Sequence, residues 1–476
     1  MSIKKNFAYS FLLTASGYIF PMLTYPYVAR TLGVSSIGVC DFVDSIINYF
    51  ILVSMMGITA CGIREIAATK EDSIKRSSIF TSLLTLNAIS TSIAIVALLF
   101  AMYTIPSLQP HKTLLWIGIC KLLSNMFLVE WFFTGMENFA YITKRSLTIK
   151  FLYVVGIFLF IHEPKDYPIY YLLTVGSVVL NALWNFCYSQ KFITIRFDNI
   201  TLNPFLATFF SIGIYKIITA VYTTLNVSWL GFMTNTDQVG YYTSATRLYT
   251  IIISVFTAFT GVMLPRLSSL HAEGKEHEFW QKIDLSVEAL CCFAFPMVLL
   301  SVIFAPNILH FLLGDGFELS YLPFRIIAPL IFIIGYEQIL VMQILIPRKH
   351  DKIVLRNSII GALVAVVANI LFVKAYGATG SALVWLTSEI AVLIATLVFT
   401  QHNTQHTIPY KRLKKYTLAY LPLTLALIVV YTFATCNDFA ILCIAGMVTF
   451  TFSFFAQKYY VKSPIALPLI NKLSQY

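Results

Sequence analysis

The stretch YPYVARTLGVSSIGVCDFVD, Tyr25 to Asp44, decides how the chain is read. It sets Arg30, Asp41 and Asp44 between two long apolar runs, and it has a counterpart farther on. In WLGFMTNTDQVGYYTSATRLY, Trp229 to Tyr249, the same Leu-Gly, later Gly and polar helix start recur. With Gly38 set on Gly240 the offset is 202, and Arg64 then falls on Arg266. Leu32-Gly33 falls on Leu230-Gly231 at an offset of 198, so the second copy carries four more loop residues. An internal repeat in an apolar, many-helix chain is the pattern of secondary transporters.

Composition agrees. The 476 residues are 58% hydrophobic and 12% charged, with 39 Phe, 27 Tyr and a mean hydropathy of +0.77. Soluble domains carry about 25% charged residues, so half that share describes a chain whose solvent is mostly lipid. The opening MSIKKNFAYSFLLTASGYIF has the basic start of a signal peptide. Its apolar run continues to about Val28 without a small-residue cleavage site, so it reads as a first membrane helix.

A crossing needs about 20 mainly apolar residues. That criterion predicts fourteen, at 6–29, 37–62, 77–103, 113–134, 146–162, 169–190, 205–231, 239–262, 285–305, 319–346, 355–373, 379–401, 416–434 and 439–459. The fold class is therefore an all-α membrane protein. Two six-helix bundles, 1–190 and 205–402, are related by a parallel repeat and joined by a cytoplasmic linker, 191–204. Residues 403–476 hold two further helices and a tail.

An even count puts both termini on one side. Of the 33 Lys and Arg, 25 fall at the N-terminus, in or beside alternate loops and in the tail (Lys150 and Arg356 among them, just inside the ends of their spans), four (Arg30, Lys112, Lys165, Lys374) on the opposite face, and four (Lys121, Lys216, Arg247, Arg325) deeper inside predicted helices. The positive-inside rule then makes both termini cytoplasmic. It also accounts for the net charge of +11 without any need for nucleic acid. The longest loops, around 63–76, 191–204 and 263–284, are too short for a soluble catalytic domain.

Polar side chains within lipid usually face protein or water. The span 205–231 carries a stripe at helical spacing, Thr208, Ser211, Tyr215, Thr219, Tyr222 and Asn226, with Lys216 beside it. The span 239–262 carries Thr243, Thr246, Arg247, Thr250, Ser254 and Thr257, and its repeat mate carries Asp41, Asp44, Ser45 and Asn48. The first span adds Ser10, Thr14, Gly17, Pro21 and Thr24. These faces suit a wet cavity; helix packing through small residues is the competing reading. Asp44 and Arg247 are candidates for mutual compensation, since Ser45 is the repeat mate of Arg247. Lys121 and Arg325 lie about two turns from the outer face, within snorkelling reach. Glu337 and Glu389, near mid-helix, are candidates for proton or sodium coupling, against the alternative of buried neutral acids.

No catalytic or nucleotide-binding motif is present: no G-x-x-x-x-G-K-[ST], G-x-S-x-G or H-E-x-x-H. The eight cysteines form no C-x-x-C pair and read as small hydrophobes, and no metal site or cofactor is expected. His271 and His277 share a charged loop with Glu273, Glu276 and Glu278 that reads as solvated.

In order along the chain, YVARTLGVSSIGVCDF, VEWFFTGMENFAYITKRS, VGYYTSATRLYTIIISVF with LPRLSSL, and LLGDGFELSYLPFRIIAPLIF with PRKHDK resemble the polysaccharide flippases that move O-antigen-type repeat units. These belong to the multidrug/oligosaccharidyl-lipid/polysaccharide exporter superfamily. The resemblance implies two bundles facing a central cavity in the bacterial inner membrane. It implies alternating access and an undecaprenyl-pyrophosphate-linked oligosaccharide as substrate, with membrane lipid around the tail. The diphosphate would be held by cavity cations. The candidate cavity residues are Arg30, Lys216, Arg247, Asn226 and Tyr215; Asp41, Asp44, Glu337 and Glu389 are the candidates for ion coupling or internal pairing. A functional association with a polysaccharide polymerase is compatible with that role. The alternatives are a drug/cation antiporter of the same superfamily and a membrane polysaccharide polymerase. Drug antiporters commonly carry an acid on the first helix, and the first span here has none.

Overall fold

The structure, a computed structural model, describes residues 3–195, 200–223, 225–404, 408–461 and 463, with backbone alone at 3–8, 10, 11, 215, 219 and 221–223. Among the described residues every regular element is helical. This follows from the lipid solvent, in which a helix satisfies its own backbone groups. Ten helical segments are long and apolar enough to cross a membrane. Two of them, Leu12–Met55 with 44 residues and Asp351–Asn403 with 53, are about twice the length of one crossing.

The chain forms two compact units, Met1–Gly240 and Tyr241–Tyr476. The first contains α1 (Ile3–Met55), α2 (Ile58–Ala68), α3 (Ser73–Thr104), α4 (Lys112–Asn125), α5 (Glu130–Gly135), α6 (Phe139–Phe160), α7 (Tyr167–Ser189), α8 (Asn203–Thr223), α9 (Leu225–Met233) and the start of α10 (Thr236–Ala272). In α1, Gly33 sits at φ 73°, so the chain turns back between its two apolar halves. That conformation is open to glycine and strained for other residues.

Glycines also set the close crossings. A Cβ at Gly62 would lie 2.3 Å from the Trp131 ring, and one at Gly231 would lie 2.2 Å from Phe42. The repeat mates Gly38 and Gly240 meet backbone to backbone: a Cβ on Gly38 would stand 1.8 Å from the Thr236 carbonyl oxygen. Around Gly62, Phe80, Trp131, Phe132 and Phe133 form an aromatic core with Ile58 and Ile66. α8 and α9 pack in this first unit, with Gly57 against Phe209, Gly213 against Met56, and Ser45 hydrogen-bonded to Ser228 at 2.7 Å. The division at Gly240 is one of packing; the expected boundary at 191–204 is one of sequence correspondence.

The second unit continues with α11 (Glu276–Ile303), α12 (Ala305–Leu313), α13 (Tyr321–Ile327), α14 (Leu330–Gln338), α15 (Asp351–Ala368), α16 (Lys374–Asn403), α17 (Tyr410–Phe433) and α18 (Asp438–Phe455). Short π-helical stretches follow α14, α15 and α18. Gly377, at φ 54°, turns the chain between 351–376 and 378–403. α11 is tied to α17 by Arg412 Nε on Glu288 Oε2 (3.1 Å) and by Tyr416 OH, which donates to Glu288 Oε1 at 2.6 Å. Large apolar side chains such as Phe100, Phe151, Leu425 and Phe450 stand exposed on the helices, where lipid solvates them.

Several expected boundaries are corrected. Span 37–62 is interrupted at Met56, and span 113–134 at Met126–Val129, where Val129 is left-handed. The loop expected at 263–284 is mostly helix. α10 runs through Pro265 to Ala272, and α11 begins at Glu276. Glu273, His277 and Glu278 stand exposed there, as a solvated segment requires, while His271 meets Glu276 at 2.9 Å and Arg348 meets Glu276 at 2.5 Å.

Candidate functional site

The most complete polar cluster in the first unit is built on Asp44, near the middle of the second half of α1. Lys121 of α4 donates to Asp44 Oδ1 at 2.7 Å and to Asn48 Oδ1 at 3.0 Å. Asn48 Nδ2 donates back to Asp44 Oδ2 at 3.0 Å, and Tyr171 OH of α7 donates to Oδ1 at 3.3 Å. Gly118, one turn before Lys121, lets Ile47 and the Tyr171 hydroxyl close on α4. Three helices thus share one ion pair whose side chains are only 12% and 26% exposed.

Asp44 is thus compensated within its own unit by Lys121, with Asn48 and Tyr171. This corrects one expectation: Lys121 turns inward instead of snorkelling. The signal that could have found the pair is depth. Asp44 lies eleven residues past Gly33, and Lys121 nine past the start of α4, so at about 1.5 Å per residue they stand within a few ångströms of the same level. Arg325, expected to snorkel as well, donates to the Val302 carbonyl at 3.0 Å.

A second cluster spans the break in the fourth predicted span. Glu130 opens α5, and its carboxylate takes Arg145 of α6 at 3.0 Å. Arg145 also donates to Asn185 Oδ1, and Asn185 Nδ2 donates to the Leu128 carbonyl freed by the break. The Arg145 side chain is 2% exposed, although sequence counting placed it in a cytoplasmic loop. Neither Asn185 nor the break was anticipated.

Of the expected cavity residues, Arg30 stands exposed on α1 and Asp41 partly buried beyond the Gly33 turn. Lys216 is half-buried on α8, and Asn226 is fully buried on α9. The Tyr215, Thr219 and Tyr222 side chains lie outside the described residues, as does that of Ser10. Arg247 is partly buried on α10 in the second unit.

In the second unit the two expected acids do meet. The carboxyls of Glu337 on α14 and Glu389 on α16 stand within hydrogen-bonding reach of each other. Trp385 Nε1 donates to Glu389 Oε1 at 2.9 Å, and the Tyr249 ring sits edge-on to Trp385 at 5.0 Å. Glu337 Oε2 is buried and takes no protein hydrogen bond. Two carboxyl groups within hydrogen-bonding reach can share one proton between them. Among the described residues, no group of three or more His, Cys, Asp and Glu side chains is arranged to hold a metal ion.

Residues 3–271 match the sequence profile of the family described as "Polysaccharide biosynthesis protein". The chain is 23% identical over 410 residues to a candidate O-antigen transporter of Escherichia coli (strain K12), covering 85% of this chain and 98% of that one. A second candidate O-antigen transporter, from Shigella dysenteriae, is 23% identical over 404 residues, 83% of this chain and 99% of that one. Among solved structures, the lipid II flippase MurJ in an inward closed conformation superposes with a TM-score of 0.80 at 15% identity, covering 97% of this chain and 99% of the other. An outward-facing multidrug resistance transporter of the MATE family superposes at 0.51 and 13% identity, covering 82% and 94%. At these identities the structural likenesses speak for the fold.

Proposed function

The chain belongs to the polysaccharide biosynthesis protein family, and from that premise we propose that it is a flippase for undecaprenyl-pyrophosphate-linked oligosaccharide repeat units. It moves them from the cytoplasmic to the outer leaflet of the bacterial inner membrane by alternating access. The observation that carries the reading is the set of charged and amide groups within membrane-length helices: Asp44, Asn48 and Lys121 in one unit, Glu337 and Glu389 in the other. Such groups are costly in lipid and mark the paths of polar cargo. A glycan and a diphosphate are cargo of that kind.

In this reading the two long segments each cross twice. With α6 and α8–α9 added to the ten spans, the count is fourteen, with both termini cytoplasmic. Two repeats, 1–190 and 205–402, are joined through 191–204, and 403–476 follow them. Arg30, Lys216, Arg247, Asn226 and Tyr215 line the cavity, and its cations hold the diphosphate. The Glu337–Glu389 pair supports coupling to a proton or sodium gradient.

The test is transport of lipid-linked oligosaccharide in vesicles containing the purified chain. A lectin added outside should reach glycan that began on the inner leaflet. Transport no faster than in protein-free vesicles would overturn the reading.

A further inference from the structure

α6 holds a third cation, Lys150, that neither polar cluster uses. It lies mid-helix, about 15 Å from each end at 1.5 Å per residue. Its Nζ donates to Ser16 Oγ of α1 at 2.8 Å. Ser16 is buried and donates its own proton to the Leu13 carbonyl at 2.6 Å, so it meets Lys150 as an acceptor. α1 and α6 run parallel here. Thr143 bonds the Tyr9 carbonyl below, at 2.9 Å, and Tyr27 bonds the Ile161 carbonyl above, at 2.6 Å, so the depth of the lysine is held on both sides.

The charge balance is what makes Lys150 unusual. Asp44 is matched by Lys121, and Glu130 by Arg145. Among the described residues no carboxylate lies within 4.0 Å of Lys150. Glu130, which acts on it electrostatically, is already paired with Arg145. An ammonium has three donors, and the contacts present use one. Beside it, Gly17 has no side chain: a Cβ there would come within 3.9 Å of Nζ, so a larger residue would cover the ammonium. On α6 the exposed, lipid-facing side chains Phe151, Leu152 and Val155 lie away from the lysine.

We propose that Lys150, seated on Ser16 and left open by Gly17, is an anion subsite for the phosphate groups of a prenyl-diphosphate-linked substrate, part-way across the first unit. This rests on the flippase reading above. A lysine is suited to such a station because it binds phosphate as a point charge and not as a two-pronged clamp. It can hold a diphosphate without fixing its orientation and then release it.

The probe is farnesyl diphosphate, with farnesol as the uncharged control, added to the full detergent-purified chain. In the unaltered protein, Lys150 should be protected from amine methylation, read by mass spectrometry, by farnesyl diphosphate and not by farnesol. Lys150→Met should weaken diphosphate binding ten- to a hundredfold, Lys150→Arg less, and neither should change farnesol binding. Equal methylation of Lys150 with and without the diphosphate would overturn the subsite, and so would unchanged affinity in Lys150→Met. Protection of Lys150 in a chain that fails to move lipid-linked oligosaccharide would leave the subsite standing and remove the flippase reading. If inorganic pyrophosphate protects as well as farnesyl diphosphate, the subsite reads phosphate alone; if only the prenylated probe protects, the lipid chain contributes to recognition.

Discussion

Lys121 Nζ stands 2.7 Å from Asp44 Oδ1, joining two helices through residues 77 positions apart in the chain. Asn48 and Tyr171 satisfy the remaining carboxylate positions, so the pair is both neutral and hydrogen-bonded. A buried pair of this kind contributes little net stability, but removing one member leaves a charge stranded. Asp44→Asn or Lys121→Met should each destabilise the protein by about 3 kcal/mol, toward the lower end for such pairs because both side chains keep some exposure. The double change should recover most of that loss. Thermal unfolding of the purified variants checks it; a double mutant no more stable than the worse single would refute the pairing.

Arg247, on α10 of the second unit, is the candidate for the substrate diphosphate. If Arg247 binds the substrate diphosphate, Arg247→Ala should reach normal membrane abundance and lose transport, and Arg247→Lys should keep part of it. One lost charge-assisted contact corresponds to roughly 1.5–3 kcal/mol, about ten- to a hundredfold in affinity. Immunoblots of membranes together with surface polymer measure both quantities. Low abundance of Arg247→Ala would make the residue structural.

The Glu337–Glu389 pair predicts a coupled proton. Glu389→Gln should leave the Trp385 contact a possible partner through the amide oxygen and abolish any dependence of transport on the driving gradient. Transport rates in vesicles with imposed proton, sodium or no gradient would decide it. Rates equal under all three conditions in the unaltered protein would end the coupling reading.

His310 of α12 is a pH-dependent tie on the face opposite the termini in the proposed topology. Its Nδ1 meets Asp438 at the start of α18, and its Nε2 meets Asp315 at 3.0 Å. Hydrogen bonds to Asp438 first, and then to Asp315, hold its protonation above the ordinary histidine value. A raised value means that the tie contributes fully below the unfolded histidine value, about 6.5, and is lost as pH rises through the higher folded one. Melting temperature should therefore fall across that window, and His310→Gln should flatten the fall. The size of the effect should be small, because the ring is 45% exposed. A profile identical in the variant would dismiss the tie.

Topology is open to labelling. With the eight native cysteines removed, a cysteine at Ser73, beside the Asp72 cap of α3, should resist impermeant maleimide in intact cells and react in inverted vesicles. Reaction in intact cells would reverse the proposed orientation.

The sequence by itself determined the solvent of this protein, its helical class, and where its longest apolar segments double back. Hydropathy is a local sum, and a glycine such as Gly33 or Gly377 marks a left-handed turn wherever the helices are later placed. It also put Glu337 and Glu389 at comparable mid-helix positions, which made them candidates before their contact was known. Helix ends were less legible, because α10 and α11 extend beyond the apolar core on polar residues that hydropathy counts as loop. Charge pairing was decided by the tertiary structure alone. Which acid meets Lys121, or that Arg145 turns inward to brace a broken helix while Lys150 rests on a serine, depends on which helices become neighbours and at what depth. Those neighbours are set by small-residue crossings such as Gly62 on Trp131 and Gly118 on Ile47, each a contact between distant parts of the chain that no local pattern encodes.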